Sequence, residues 1–166
     1  QSLGEALNYN AYAADTGTAV IEPVELYRRL DGIVEPLAIA DDTLIRRIAA
    51  MIEADLQACL EGEPLLNTRG CIVRLLPDTL PGRRARGLVA HRLQRTAPER
   101  VIVVIVPDGH GQVDISIRCP AGKGQGAARL AAQFGGGGRA AAAGIDDLPL
   151  ARVDELLKVL RQSFED

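Results

Sequence analysis

The chain has 166 residues, 47% of them hydrophobic, enough for one domain or two small ones with a sizeable core. No apolar run approaches the ~20 residues that span a bilayer, and no basic-then-apolar leader opens the sequence, so a membrane span is excluded and a cytoplasmic setting is expected. Aromatic residues are 3% with no Trp, which argues against base stacking on a platform of rings. The net charge of −3 is unevenly spread. Residues 1–66 hold 4 basic and 12 acidic side chains, residues 67–139 hold 12 and 4, and residues 140–166 hold 3 and 6. Eleven of the 12 cations in the middle block are arginine, whose planar fork of donors suits phosphate. Taken alone, such a block is also what a solvated surface looks like.

In chain order, Leu3 to Tyr12 reads as a short helix ending near Asp15-Thr16-Gly17. The sequence opens on Gln1 rather than Met, so a preceding segment is expected to have been removed. Pro23 sits where a helix can start, and Pro23 to Leu30 is predicted helical. Asp41, Asp42 or Thr43 can cap the next helix, in which Ile45, Ile48, Ile52, Leu56 and Cys59 recur at spacings of three and four. It should stop near Gly62-Glu63-Pro64. This acidic section, residues 1–66, is expected to form a helical segment ahead of a second domain at 67–166.

From Cys71 the pattern turns to strands. Cys71 to Leu76 is a candidate strand, and Ala85, Leu88, Val89, Arg92, Leu93 and Thr96 fit one helix face. Val101 to Val106 is an unbroken β-branched run, as in a strand buried on both faces. After the turn Pro107-Asp108-Gly109-His110-Gly111, Val113 to Cys119 alternates strictly. Val113, Ile115, Ile117 and Cys119 face one way, and Asp114, Ser116 and Arg118 the other. A helix from about Gln125 to Phe134, a glycine loop, a small-residue strand through Ile145 and an amphipathic helix from Leu150 to Phe164 complete the chain. The order predicts an α/β (α+β) fold, a mixed β-sheet covered by helices and preceded by a helical N-terminal segment.

The glycine tract Phe134-Gly135-Gly136-Gly137-Gly138-Arg139, followed by Ala140 to Ala143 and Gly144, is a poor recipe for a core. Tetraglycine costs ordering entropy and packs no side chain, so it suits a bare backbone that a ligand approaches closely. Arg139 beside it points to an anion. A flexible linker is the bland alternative, although linkers usually mix in serine. Ser116 and Arg118 share one strand face about 7 Å apart. If the tract and Arg139 lie near them, a hydroxyl, two guanidinium groups and several amides converge. The bland alternative for Arg118 is a surface pair with Asp114.

Gly122-Lys123-Gly124-Gln125-Gly126-Ala127 is a second glycine cluster between a strand and a helix. A helix N-terminus attracts anions, so Gly122, Lys123, Gly124 and Gly126 form an alternative anion loop. No Ser or Thr follows the Lys as in a P-loop, and a tight turn explains the cluster as well. The two histidines, His91 and His110, have no partner at metal-binding spacing and read as ordinary exposed residues. Cys59, Cys71 and Cys119 are widely spaced and read as free thiols.

The segment Val113-Asp114-Ile115-Ser116-Ile117-Arg118-Cys119, a helix, and then Phe134 to Gly144 with its glycines, Arg139 and alanines resembles the DHH-associated domain. In DHH-family phosphoesterases that domain follows an Asp-His-His catalytic domain and holds the substrate. The resemblance covers about residues 67–164. Gly136, Gly137, Gly138, Ala142, Ala143 and Gly144 match the family's glycine string, and Ser116-Ile117-Arg118 is similar to its Ser-Leu-Arg. It implies substrate contacts at Ser116, Arg118, Gly136, Gly137, Gly138 and Arg139, and a phosphate-containing ligand such as a nucleotide or short nucleic acid.

Arg139 stands where the family has histidine, and arginine does not titrate near neutral pH, so an acid/base role there is in doubt. Arginine at this place is more like the related C-terminal domain of alanyl-tRNA synthetases. The Asp-His-His string is not in this sequence, and residues 1–66 look like the tail and linker after such a catalytic domain. The resemblance thus implies that this chain binds no metal or cofactor and is inactive alone, with manganese or magnesium held by a separate catalytic domain.

Two further readings stay open. Arg118 to Ala128 also resembles the strand-loop-helix with which GNAT-type acetyltransferases hold acetyl-coenzyme A, at Gly122 to Ala127. The acidic N-terminal helices could instead serve assembly, including a homo-oligomer.

Overall fold

The computed structural model describes residues 3–15, 17–31, 33, 39, 42–120 and 126–164. The chain divides into two compact units, Gln1–Ala58 and Cys59–Asp166.

The first unit holds α1 (Leu3–Asp15), α2 (Pro23–Leu30) and most of α3 (Thr43–Leu60). Pro23 opens α2 because a first helical position has no intrahelical bond to lose. Of the candidate caps for α3, Asp41 lies outside the described residues and Asp42 makes a capping bond. Its Oδ1 accepts from the Leu44 N–H at 2.7 Å, which holds its carboxyl below the ordinary value. The apolar stripe predicted on α3 is buried along its length, with Ile48 and Ile52 at 0% exposure. Two polar groups tie the unit together. Tyr9 Oη donates to Asp55 at 2.5 Å, and buried Asn10 bonds the backbone at Val20 and Ile21.

The second unit is α+β. Its elements are β1 (Leu66–Asn67), β2 (Cys71–Leu75), α4 (Leu80–Thr96), β3 (Val101–Pro107), β4 (Gln112–Arg118), α5 (Gly126–Ala132), β5 (Gly137–Arg139), β6 (Ala142–Pro149), a 3₁₀ turn at Leu150–Arg152 and α6 (Val153–Phe164). The six strands form one mixed sheet in the order β1-β2-β3-β4-β6-β5. Among the described strands only β2 and β3 run parallel, joined by the α4 crossover. β3 lies inside the sheet and is buried from Val101 to Val106, as its β-branched run predicts.

One sheet face carries Val73, Val103, Ile105, Ile115, Ile117 and Ile145. These pack with Leu130 and Ala131 of α5 and with Leu156 and Leu160 of α6. α4 lies on the other face, against β3 and β4. Both faces of the sheet's centre are therefore dry. Away from α4, the second face is lined by polar and small residues.

Several element ends differ from the sequence expectation, each for a local reason. α4 begins five residues before Ala85 because Thr79 Oγ1 accepts from the Gly82 N–H at 3.2 Å and starts the helix. β4 ends at Arg118 rather than Cys119, whose N–H bonds the Ala141 carbonyl outside the ladder. α5 ends at Ala132 and turns follow it. The final helix opens with a 3₁₀ turn after Pro149. The two-residue β1 has no periodicity to announce it. The largest difference lies in the glycine tract: Gly137 and Gly138 are not loop but part of edge strand β5, which turns through Ala140 and Ala141 into β6.

Candidate functional site

The alternation of β4 sends Asp114, Ser116 and Arg118 to one face, and the ladder fixes what lies beside them. Ser116 pairs with Gly144, which pairs with Gly137. Arg118 pairs with Ala142, which pairs with Arg139. Paired residues of antiparallel strands share a face. Arg118 and Arg139 therefore stand in one row, two strands apart, with backbones about 10 Å from each other. Between and behind them the floor is Ala142, Gly144 and Gly137, all small residues. The Arg118 Nη1 donates to the Ile117 carbonyl at 3.0 Å, and Arg139 is exposed. Ser116 is 8% exposed, and its hydroxyl has no hydrogen-bond partner among the described residues. A row of two guanidinium groups with a hydroxyl beside a floor of small residues can hold an oxyanion.

The glycines divide the labour. A Cβ on Gly136 would collide with the Gly144 carbonyl and the Ile145 side chain. One on Gly138 would strike Ala143, and its φ of +146° is a region few other residues adopt. These two allow β5 to lie tight against β6. Gly137 has nothing within 4 Å of a Cβ position and shares the open face with Arg139. As the sheet's last strand, β5 also leaves half of its backbone N–H and C=O groups without a ladder partner. The bare backbone is thus present, but two of the four glycines are there for strand packing.

Asp114 is held by a residue that sequence reading did not connect to it. Arg86 of α4 puts Nη1 3.2 Å from Asp114 Oδ2 and 3.5 Å from Asp146 Oδ1. A one-residue bulge adds Asp147 to β6 near Asp114, at φ +56°. The Asp147 N–H donates to Asp114 Oδ1 at 3.2 Å. Arg86 is one of many arginines in α4, so no local signal distinguished it. Nor could sequence alone show that Gly144 and Ala142 would lie between the two arginines.

The alternative anion loop falls mostly outside the described residues, which include none of Gly122, Lys123 and Gly124. Gly126 opens α5 at φ +53°, where a Cβ would collide with the Ala140 carbonyl, and the Ala127 N–H bonds that same carbonyl at 2.7 Å. That end of α5 is thus stitched to the β5–β6 turn. His91 and His110 are exposed. Among the described residues no three His, Cys, Asp or Glu side chains come together to hold a metal. A groove of about 210 Å³ lies in the first unit, lined by Leu26, Leu30, Ile33 and Ile45 with the Arg29–Asp42 pair. It is mainly apolar and lacks the chemistry of the β4–β6–β5 face. All three cysteines are buried thiols. Burial pushes the Cys71 thiol up to about 12 and the Cys119 thiol to about 11, so neither is a nucleophile at neutral pH.

A mixed sheet with helices on both faces, whose last three strands gather two arginines and a serine over small residues, makes this an α+β module. The chain belongs to the DHHA1 domain family, which matches residues 72–166 and places its role beside the DHH-family phosphoesterases. Among solved structures it is similar to a pGpG-specific phosphodiesterase from Vibrio cholerae, at 12% identity and a TM-score of 0.61 over 86% of this chain and 51% of that one. It is also similar to an exopolyphosphatase-related protein from Bacteroides fragilis, at 18% identity and a TM-score of 0.52 over 86% of this chain and 38% of that one. The C-Ala domain of Aquifex aeolicus alanyl-tRNA synthetase matches at 20% identity over 50% of this chain and 80% of that one, with a TM-score of 0.41 that carries no weight for the fold. This chain therefore spans about half or less of the two phosphoesterase-type neighbours. No curated protein matches the sequence. Among the described residues no helix is long and apolar enough to cross a membrane.

Proposed function

We propose that the β4–β6–β5 face binds the phosphate of a nucleotide or short nucleic acid, as the substrate-holding portion of a DHH-type phosphoesterase. One observation carries the reading: Arg118, Ala142 and Arg139 occupy a single ladder row, which sets two permanent cations on either side of a side-chain methyl. Ser116, Gly137 and the outer backbone groups of β5 supply further donors. Arg139 stands where the family has a histidine, and its part is that of a cation beside the phosphate. Bond cleavage then belongs to a separate metal-binding domain, with residues 1–66 as the helical connection to it.

The test is a titration of this chain with a short oligonucleotide at low salt. Each arginine-to-phosphate contact is worth about 1.5–3 kcal/mol, so Arg118→Ala and Arg139→Ala should each weaken binding at least tenfold. Unchanged affinity in both variants overturns the reading.

A further inference from the structure

The same face continues beyond the phosphate row, and its chemistry reverses. Along β4 the row of Arg118 gives way to Ser116, and then to Asp114, about 13 Å from Arg118 along the strand. Opposite Asp114, β6 presents Asp146 and the bulged Asp147. Arg86 is paired with this group, touching Asp114 and Asp146. The three carboxylates and one guanidinium leave a formal local charge of −2. The face is therefore polar along its length, cationic at the Arg118–Arg139 end and anionic at the Asp114–Asp146 end.

Ser116 lies between the two ends on the same face. It is more than nine-tenths buried, and its hydroxyl is unpartnered among the described residues. Its oxygen is not one of the sealed, unsatisfied polar atoms, so it reaches solvent and is open to a ligand at this place. Gly144 beside it leaves the floor flat.

We propose that the Arg86–Asp114–Asp146 group is the nucleoside-facing end of the site and selects nucleoside phosphates over linear polyphosphate. This rests on the phosphate-binding reading of the neighbouring row. A nucleotide lies with its phosphate over Arg118 and Arg139 and its sugar over Ser116 and Gly144. Its hydroxyl or amino donors then point to the carboxylates. Asp114 is held at both oxygens, by Arg86 and by the Asp147 N–H, and so keeps its position. The Asp146 side chain is 74% exposed and only 3.5 Å-paired to Arg86, so its acceptor is the accessible one. A polyphosphate following the same path brings negative charge against three carboxylates and is disfavoured.

The experiment measures binding of guanosine 5′-monophosphate, ribose 5-phosphate and tripolyphosphate to the chain and to Asp146→Asn, with Arg118→Ala as reference. Asp146→Asn is exposed and leaves the Arg86–Asp114 pair in place. Loss of one charge-assisted bond should weaken guanosine monophosphate about five- to tenfold, while tripolyphosphate binding stays level or strengthens. Equal weakening with ribose 5-phosphate assigns the bond to ribose, and weakening with guanosine monophosphate alone assigns it to the base. Either result supports the proposal. Affinities for all three ligands that stay the same or rise together overturn it, even where Arg118→Ala abolishes binding. Should Arg118→Ala change nothing, or wild-type chain bind none of the three, the phosphate-row reading falls and this one with it. Asp114→Asn, checked for unaltered melting, provides a second variant with the same expected split.

Discussion

Cys71 and Cys119 show how an ordinary side chain is silenced by its position. Both sit in the dry core against α5 and α6, and the first cause of each raised pKa is loss of hydration of the thiolate. The folded values, about 12 and about 11, lie above the ordinary 9.0. The thiols therefore stabilise the fold fully below pH 9, and that contribution is lost as pH rises through the folded values. At pH 8 an alkylating reagent should leave both unmodified, with labelling appearing only as denaturant unfolds the unit. Mass spectrometry after a timed pulse checks this, and rapid native modification at either cysteine would contradict it. Arg139 differs in kind: it stands exposed on the edge strand, within reach of a solute.

The β5–β6 hairpin is where local sequence and function meet most closely. Gly138 combines a positive φ with close approach to Ala143, so Gly138→Ala should cost about 1–3 kcal/mol of stability and lower the melting temperature. Gly137 has ordinary backbone angles and open space above it, so Gly137→Ala should change stability by less than about 0.5 kcal/mol. Its new methyl group would stand on the ligand face beside Arg139, and binding should weaken. Paired thermal melts and oligonucleotide titrations separate the two effects. A destabilised Gly137→Ala, or one that binds normally, would show that the open face is not where the ligand sits. β4 and β6 set this frame, because only their register places Ala142 between the two arginines.

At the scale of the whole chain, binding and chemistry are expected to come apart. The described residues set Arg118 and Arg139 in one row, the cations proposed to bind phosphate, but gather no set of three metal-ligating side chains. Incubation of the chain with a short oligonucleotide and manganese should give binding without cleavage, read by gel or chromatography over hours. Clear metal-dependent turnover would place a catalytic centre in this chain and refute the division of labour.

Much of this was legible in the residues themselves. Strict alternation from Val113 put Ser116 and Arg118 on one face, and the β-branched run marked a central strand, because burial on one or two sides leaves its period in the sequence. The apolar stripe on α3 and the start of α2 at Pro23 were equally local. Tertiary structure decided the rest. That Arg139 shares a row with Arg118, that half of the tetraglycine is an edge strand, and that Arg86 holds Asp114 all depend on strand order and register. Those are set by pairings between residues far apart in the chain, which leave no period behind. The sequence determined which chemical groups were available, and the sheet decided which of them meet.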